Sequence, residues 1–160
     1  MNKSLVVLMI GTVLLAWMIS PPMQALRQAG IPADAECAEC GMSIADPRFS
    51  ARITVVEGGG TRTLYFDDVG CAFDYERWNP GLFVRSRAFA VSGEPRWLAE
   101  DAVRFVLDPK IATPMGTGIL TVDGAEAVRR RAKGDRVEAA AGAAEYRKQW
   151  MEARFGKPAQ

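Results

Sequence analysis

A chain of 160 residues, 49% of them apolar, carries enough apolar side chain for a packed body of ordinary domain size. Its 20 Lys and Arg against 19 Asp and Glu leave a net charge of +1 with the signs interspersed. No basic stripe is present to track a phosphate backbone, and nucleic acid is not an expected partner. Histidine is absent altogether. That excludes an imidazole Cu(II) centre, a Cys2His2 zinc site and a Ser-His-Asp triad, and leaves sulfur as the chemistry to follow.

The first element is apolar. Met1-Asn2-Lys3 carries positive charge, Leu5 to Ile19 is apolar except for Gly11 and Thr12, and Pro21-Pro22 stops the run, with no further charge until Arg27. Such flanks mark an export segment whose length falls between a signal peptide and the ~20 residues needed to cross a bilayer. Met23-Gln24-Ala25 is a poor small-x-small cleavage site, so residues 1–23 read as an uncleaved signal anchor in preference to a cleaved signal peptide. Both readings place the body outside the cytoplasm, where thiols tend to oxidise. Residues 24–35, with Pro32 and no sustained period, read as a linker.

The body opens on Cys37-Ala38-Glu39-Cys40-Gly41-Met42, two thiols and a thioether in six residues. Ser50 to Val56 then alternates and is rich in β-branched residues, Glu57-Gly58-Gly59-Gly60 interrupts it, and Arg62 to Phe66 resumes, which predicts a hairpin. Asp67 or Asp68 can cap a helix over Val69 to Trp78 that carries Cys71 in its first turn. A helix amino end favours anionic sulfur, so Cys71 is expected to have a lowered pKa and to stand ready as a thiolate. Asn79-Pro80-Gly81 ends the helix and Leu82 to Val91 reads as a third strand, making residues 36–95 a ββαβ unit.

A weak internal echo follows. Leu64-Tyr65-Phe66-Asp67-Asp68-Val69-Gly70-Cys71 aligns with Leu120-Thr121-Val122-Asp123-Gly124-Ala125-Glu126-Ala127, each a strand running into an acidic cap and a helix. With Val103 to Leu107 ahead of it and Arg136 to Ala139 behind, residues 96–140 form a second ββαβ unit. Ala127 replaces the cysteine there, and the sulfur of this half is Met115, in the loop Thr113-Pro114-Met115-Gly116-Thr117-Gly118. The alanine-rich stretch from Glu138 to Phe155, with Tyr146, Trp150 and Met151 near helical spacing, predicts a C-terminal helix spanning most of 141–160. The expected class is therefore α+β, two similar ββαβ units between an N-terminal hydrophobic helix and a C-terminal one.

A single Cys-x-x-Cys serves disulfides, redox exchange and metal binding alike. A Cys37–Cys40 disulfide would make the chain a stapled interaction module presenting its hairpin, but would leave Cys71 odd. A thioredoxin-type dithiol sits at a helix amino end, and Gly41 and Asp46-Pro47 leave little room for one. A thiol enzyme, oxidoreductase or organomercurial-lyase-like, would use Cys37, Cys40 or Cys71 as nucleophile and Asp67 or Asp68 to move the proton. Zinc would need Cys37, Cys40, Cys71 and one of those aspartates. Cu(I) takes fewer and softer donors, and any two or three of Cys37, Cys40, Met42, Cys71 and Met115 would satisfy it. A lone methionine is ordinarily a gap-filler in the core; Met42 and Met115 each sit beside a glycine in a turn sequence, which favours exposure and ligation.

The three stretches Cys37-x-x-Cys40-Gly41-Met42, Phe66-Asp67-Asp68-Val69-Gly70-Cys71 and Thr113-Pro114-Met115-Gly116-Thr117-Gly118, in that order, resemble the NosL family of copper-binding accessory proteins for nitrous oxide reductase. The resemblance implies a periplasmic Cu(I) chaperone and not an enzyme, passing copper to the membrane assembly machinery of a copper enzyme. It also implies two similar ββαβ halves, in a fold shared with organomercurial lyase. Members of that family are often lipoproteins; this chain has no lipid-attachment cysteine, so its expected tether to the inner membrane is the N-terminal helix. Cys40, Met42 and Met115 are the leading Cu(I) donors on this reading, with Cys37 and Cys71 close behind.

Overall fold

The computed structural model describes residues 30–92, 96–108, 110–135, 137–138, 152 and 156. The expected anchor at 1–23, the first half of the linker (24–29) and, apart from Glu152 and Gly156, the expected C-terminal helix lie outside the described residues. Among the described residues no helix is long and apolar enough to cross a membrane.

The architecture is α+β, as the sequence predicts. Strands β1 (Ala51–Glu57) and β2 (Gly60–Phe66) form an antiparallel hairpin, helix α1 spans Val69–Trp78, and β3 (Val84–Ala90) returns to pair antiparallel with β1. The hairpin turn is tight because Gly58 and Gly59 both take positive φ, 60° and 82°, the backbone that a two-residue turn matched to strand twist demands. A short strand β4 (Trp97–Ala99), not anticipated from the sequence, adds to the outer edge of β3, so the first sheet runs β2-β1-β3-β4. The second sheet is built from β5 (Arg104–Leu107), β6 (Ile119–Val122) and β7 (Val137–Glu138) in the order β6-β5-β7, with helix α2 (Gly124–Ala132) between β6 and β7. Each half thus runs strand, strand, helix, strand, with its third strand beside its first.

The two helix caps show how far the echo extends. Asp68 caps α1 by accepting from Gly70 N–H at 2.7 Å, and Asp123 caps α2 by accepting from Glu126 N–H at 2.9 Å. Aligned on these caps, Cys71 stands opposite Glu126, one residue earlier than the sequence alignment with Ala127 suggests. The thiol has no equivalent in the second half on either alignment.

One apolar core joins the halves. Ala51, Ile53 and Val55 of β1, Leu64 and Phe66 of β2 and Phe73 of α1 pack with Phe105 of β5 and Ile119 of β6. Phe73, Phe89 and Phe105 meet edge to face, with ring centroids 5.2 to 6.3 Å apart, an arrangement that suits the ring quadrupoles. Because successive strand residues face opposite ways, Val106, Leu120 and Val122 turn to the other side of the second sheet and pack with Phe49 and with Ala127 of α2. Polar ties reinforce the join. Arg87 of β3 reaches Glu76 of α1 at 2.6 Å and Glu100 at 3.0 Å, and Thr121 of β6 donates its hydroxyl to the Ala90 carbonyl of β3. The core includes Cys37 and Cys71, so the sulfur site is built into the packed interior of the first half.

Candidate metal site

The first two thiols are set by a closed turn. Cys37 N–H donates to the Met42 carbonyl at 2.8 Å while the Cys37 carbonyl accepts from Gly41 N–H at 2.8 Å, and Glu36 and Ser43 pair across the base of the loop. Gly41 makes this possible with φ +74°, in the left-handed region where a side chain would be strained. Ala38 N–H, donating to the Tyr65 carbonyl at 2.9 Å, docks the turn on β2. Ile44, beside Ile31, Ala35, Tyr65 and Trp97, anchors its far end in a small apolar cluster.

The third thiol comes from α1. Phe66 ends β2 with its side chain buried, Asp67 and Asp68 make the corner, and Cys71 falls in the first helical turn, as the sequence predicts. The ligand atoms of Cys37, Cys40, Asp67 and Cys71 all lie within 4.8 Å of one another. Two metal–sulfur bonds of ~2.3 Å span almost that distance, so the four groups are close enough to converge on one ion. Among the described residues this is the cluster of cysteines and carboxylates able to hold a metal ion.

Asp67 and Asp68 have separate roles. Asp67, buried at 3% exposure, presents Oδ1 to the Cys40 sulfur at 3.9 Å. Asp68, fully buried, is committed elsewhere: besides capping α1 it accepts from Met115 N–H at 3.1 Å and from the Thr117 hydroxyl at 2.7 Å. Its carboxylate therefore clamps the Met115 loop to the corner that carries the thiols. Within that loop Thr113 Oγ1 lies 3.2 Å from Thr117 Oγ1 and accepts from Gly118 N–H, and the Thr113 carbonyl accepts from Gly116 N–H. Thr113 and Thr117 were not singled out by sequence reasoning, although Thr-x-x-Gly-Thr-Gly is a local turn signal.

The expectation that the helix end would ionise Cys71 does not hold. Cys37 is the acidic thiol, lowered from the ordinary 9.0 to about 7 chiefly by the hydrogen bond it shares with Cys71, which outweighs its burial. Cys71 is pushed up, first by that same bond to Cys37, then by burial and by the charges of Cys37 and Asp67. The cause is a shared proton: the Cys71 thiol donates to the Cys37 thiolate, and two adjacent buried sulfurs cannot both be charged. Burial also raises Cys40. Titration of the reduced, metal-free protein by thiolate absorbance should show one sulfur ionising near pH 7 and the others well above it, with the first step absent in Cys37→Ser. Because the folded pKa is the lower one, the stability that Cys37 contributes is present above pH 9 and is lost as the pH falls through about 7.

The methionines occupy a different place from the buried thiols. Met42 and Met115 are 45% and 40% exposed, whereas Cys37 and Cys71 are 2% and 3% exposed and Cys40 is exposed. Their backbones are tied to the site through Cys37 and Asp68. The structure thus brings Cys37, Cys40 and Cys71 together, adds Asp67, and leaves Met42 and Met115 as exposed thioethers on loops fastened to the cluster.

No family model matches this chain, and no curated protein does so either. Among solved structures, the crystal structure of the copper chaperone NosL from Shewanella denitrificans superposes with a TM-score of 0.51 at 13% sequence identity, covering 68% of this chain and 88% of that one. At that identity the likeness is one of architecture, and the architecture it identifies for the two ββαβ halves is the NosL fold.

Proposed function

We propose that this chain is an exported Cu(I) chaperone, tethered to the inner membrane by residues 1–23, that carries copper through the periplasm to the assembly of a copper enzyme, nitrous oxide reductase being the recipient the sequence resemblance implies. The observation that carries the reading is the concentration of soft donors: three thiols with ligand atoms inside 4.8 Å and two exposed methionines on loops whose backbones are tied to that corner, in a chain without histidine. Thiolate and thioether sulfur select Cu(I) over harder ions. The NosL fold supports the same reading.

The arrangement also suits carriage and transfer better than storage. A structural site closes its shell, whereas a donor to another protein must leave a position open to an incoming ligand. Cys40 and both methionines are accessible to such a ligand, while Cys37 and Cys71 hold the ion from inside. Asp67 provides a buried negative charge that favours a cation in the pocket. No group-transfer chemistry is required of the chain, which acts as a carrier and not as an enzyme.

The test is metal content. Full-length protein purified in detergent under reducing, anaerobic conditions from copper-replete cells should carry copper; zinc would favour a four-ligand zinc site on Cys37, Cys40, Cys71 and Asp67, and no metal with reactive thiols would favour a thiol enzyme. Fractionation should recover the protein with the inner membrane and accessible to protease only from the periplasmic side. Recovery of a soluble mature chain beginning near Leu26 would show that residues 1–23 are a cleaved signal.

A further inference from the structure

We infer that the sulfur site holds two Cu(I) ions at once, an inner ion between the buried Cys37 and Cys71 and an outer ion between Cys40 and the exposed Met42 and Met115, with the Cys40 thiolate shared between them. This rests on the copper reading above and extends it from a single seat to a stepped pair.

Donor number is the first support. Cu(I) is satisfied by two or three soft ligands, yet three thiols lie within 4.8 Å of one another here and two more sulfur-bearing residues, Met42 and Met115, sit on loops tied by their backbones to the same corner. They also divide by burial. Cys37 and Cys71 are sealed in the core of the first half, Met42 and Met115 stand in solvent, and Cys40 is an exposed residue whose sulfur still lies within 4.8 Å of both buried ones. An ion on Cys37 and Cys71 is out of reach of an incoming protein, and an ion on the two thioethers alone has no charged ligand. Cys40 is the donor positioned to serve both.

The backbone fixes the outer donors independently of any ion. Met42 is held by its carbonyl to Cys37 N–H, and Met115 by its N–H to the buried Asp68 carboxylate. Both side chains are exposed and neither belongs to an apolar core cluster, so neither sulfur is taken up by packing. Charge points the same way. Three thiolates around one Cu(I) would leave two uncompensated charges in a largely buried pocket that already holds Asp67, and burying unpaired charge is costly. A second Cu(I) offsets one of them. Loading releases the thiol protons to solvent, and the metal remains Cu(I) throughout.

The experiment is a count. The full chain in detergent, reduced and anaerobic, is titrated with Cu(I) against a competing chelator, and bound ions per chain are read by native mass spectrometry. Two ions are expected, the second held more weakly. The Met42→Ala, Met115→Ala double variant, altered only at exposed positions, should lose the weaker ion and keep the tighter one at unchanged affinity. One ion per chain in the unaltered protein would overturn the two-ion inference while leaving the copper reading in place, and no bound copper would overturn both. Two ions persisting in the double variant would also overturn it.

Discussion

Cys40→Ser is expected to weaken Cu(I) binding by well over 100-fold while the metal-free protein melts within a degree or two of the parent. The loss should exceed the ~10–100-fold that follows from removing a supporting contact outside the ligand shell, because the substitution deletes the thiolate common to the buried and exposed donors. Stability should be spared because Cys40 is exposed and packs in no core cluster. Substitutions at Cys37 and Cys71 make the contrast: both side chains lie in the main core, so their replacement disturbs packing as well as ligation. Chelator competition and thermal melting on the three single variants separate the two effects. Near-parental copper affinity in Cys40→Ser would mean that the exposed thiol is not a ligand.

Asp68→Ala should produce the largest loss of stability of any polar substitution near the site. Its carboxylate accepts from Gly70 N–H, Met115 N–H and the Thr117 hydroxyl, and at 0% exposure no water stands ready to replace it. Loss of a helix cap costs ~1 kcal/mol, and each buried donor left unsatisfied ~1–3 kcal/mol; a destabilisation on the order of 3 kcal/mol is expected in the metal-free protein. The Met115 loop would also be released from α1, so copper should bind more weakly even at temperatures where the variant is folded. Asp68→Asn retains an acceptor oxygen and should lose less on both measures. An alanine variant that melts like the parent would show that the clamp does not hold the halves together.

What the sequence made legible is mostly local. The alternation in Ala51–Glu57, the glycines at 58 and 59, the acidic corner before Val69 and the stop at Asn79-Pro80-Gly81 each act through neighbouring residues, and the first ββαβ half follows from them. Strand β4 is three residues long, too short to show a period, and depends on the free edge of β3 for its partner. The second role of Asp68 was equally hidden: its cap on α1 is two residues away, but Met115 is 47 residues away, and no local pattern announces that contact. The pKa of Cys71 failed for the same reason. A helix end is a local influence and was weighed, whereas Cys37, which dominates the ionisation of Cys71, meets it only through the fold. Burial, too, ranks the five sulfurs in a way their order along the chain does not.

The central claim is selectivity for Cu(I). Reduced full-length protein, loaded anaerobically with equal Cu(I) and Zn(II), should keep its copper against a chelator strong enough to remove all of the zinc, since soft sulfur donors without histidine favour the monovalent ion. Loss of copper to a weak chelator while zinc stays bound would contradict it, and would reassign Cys37, Cys40, Cys71 and Asp67 to a four-ligand zinc site.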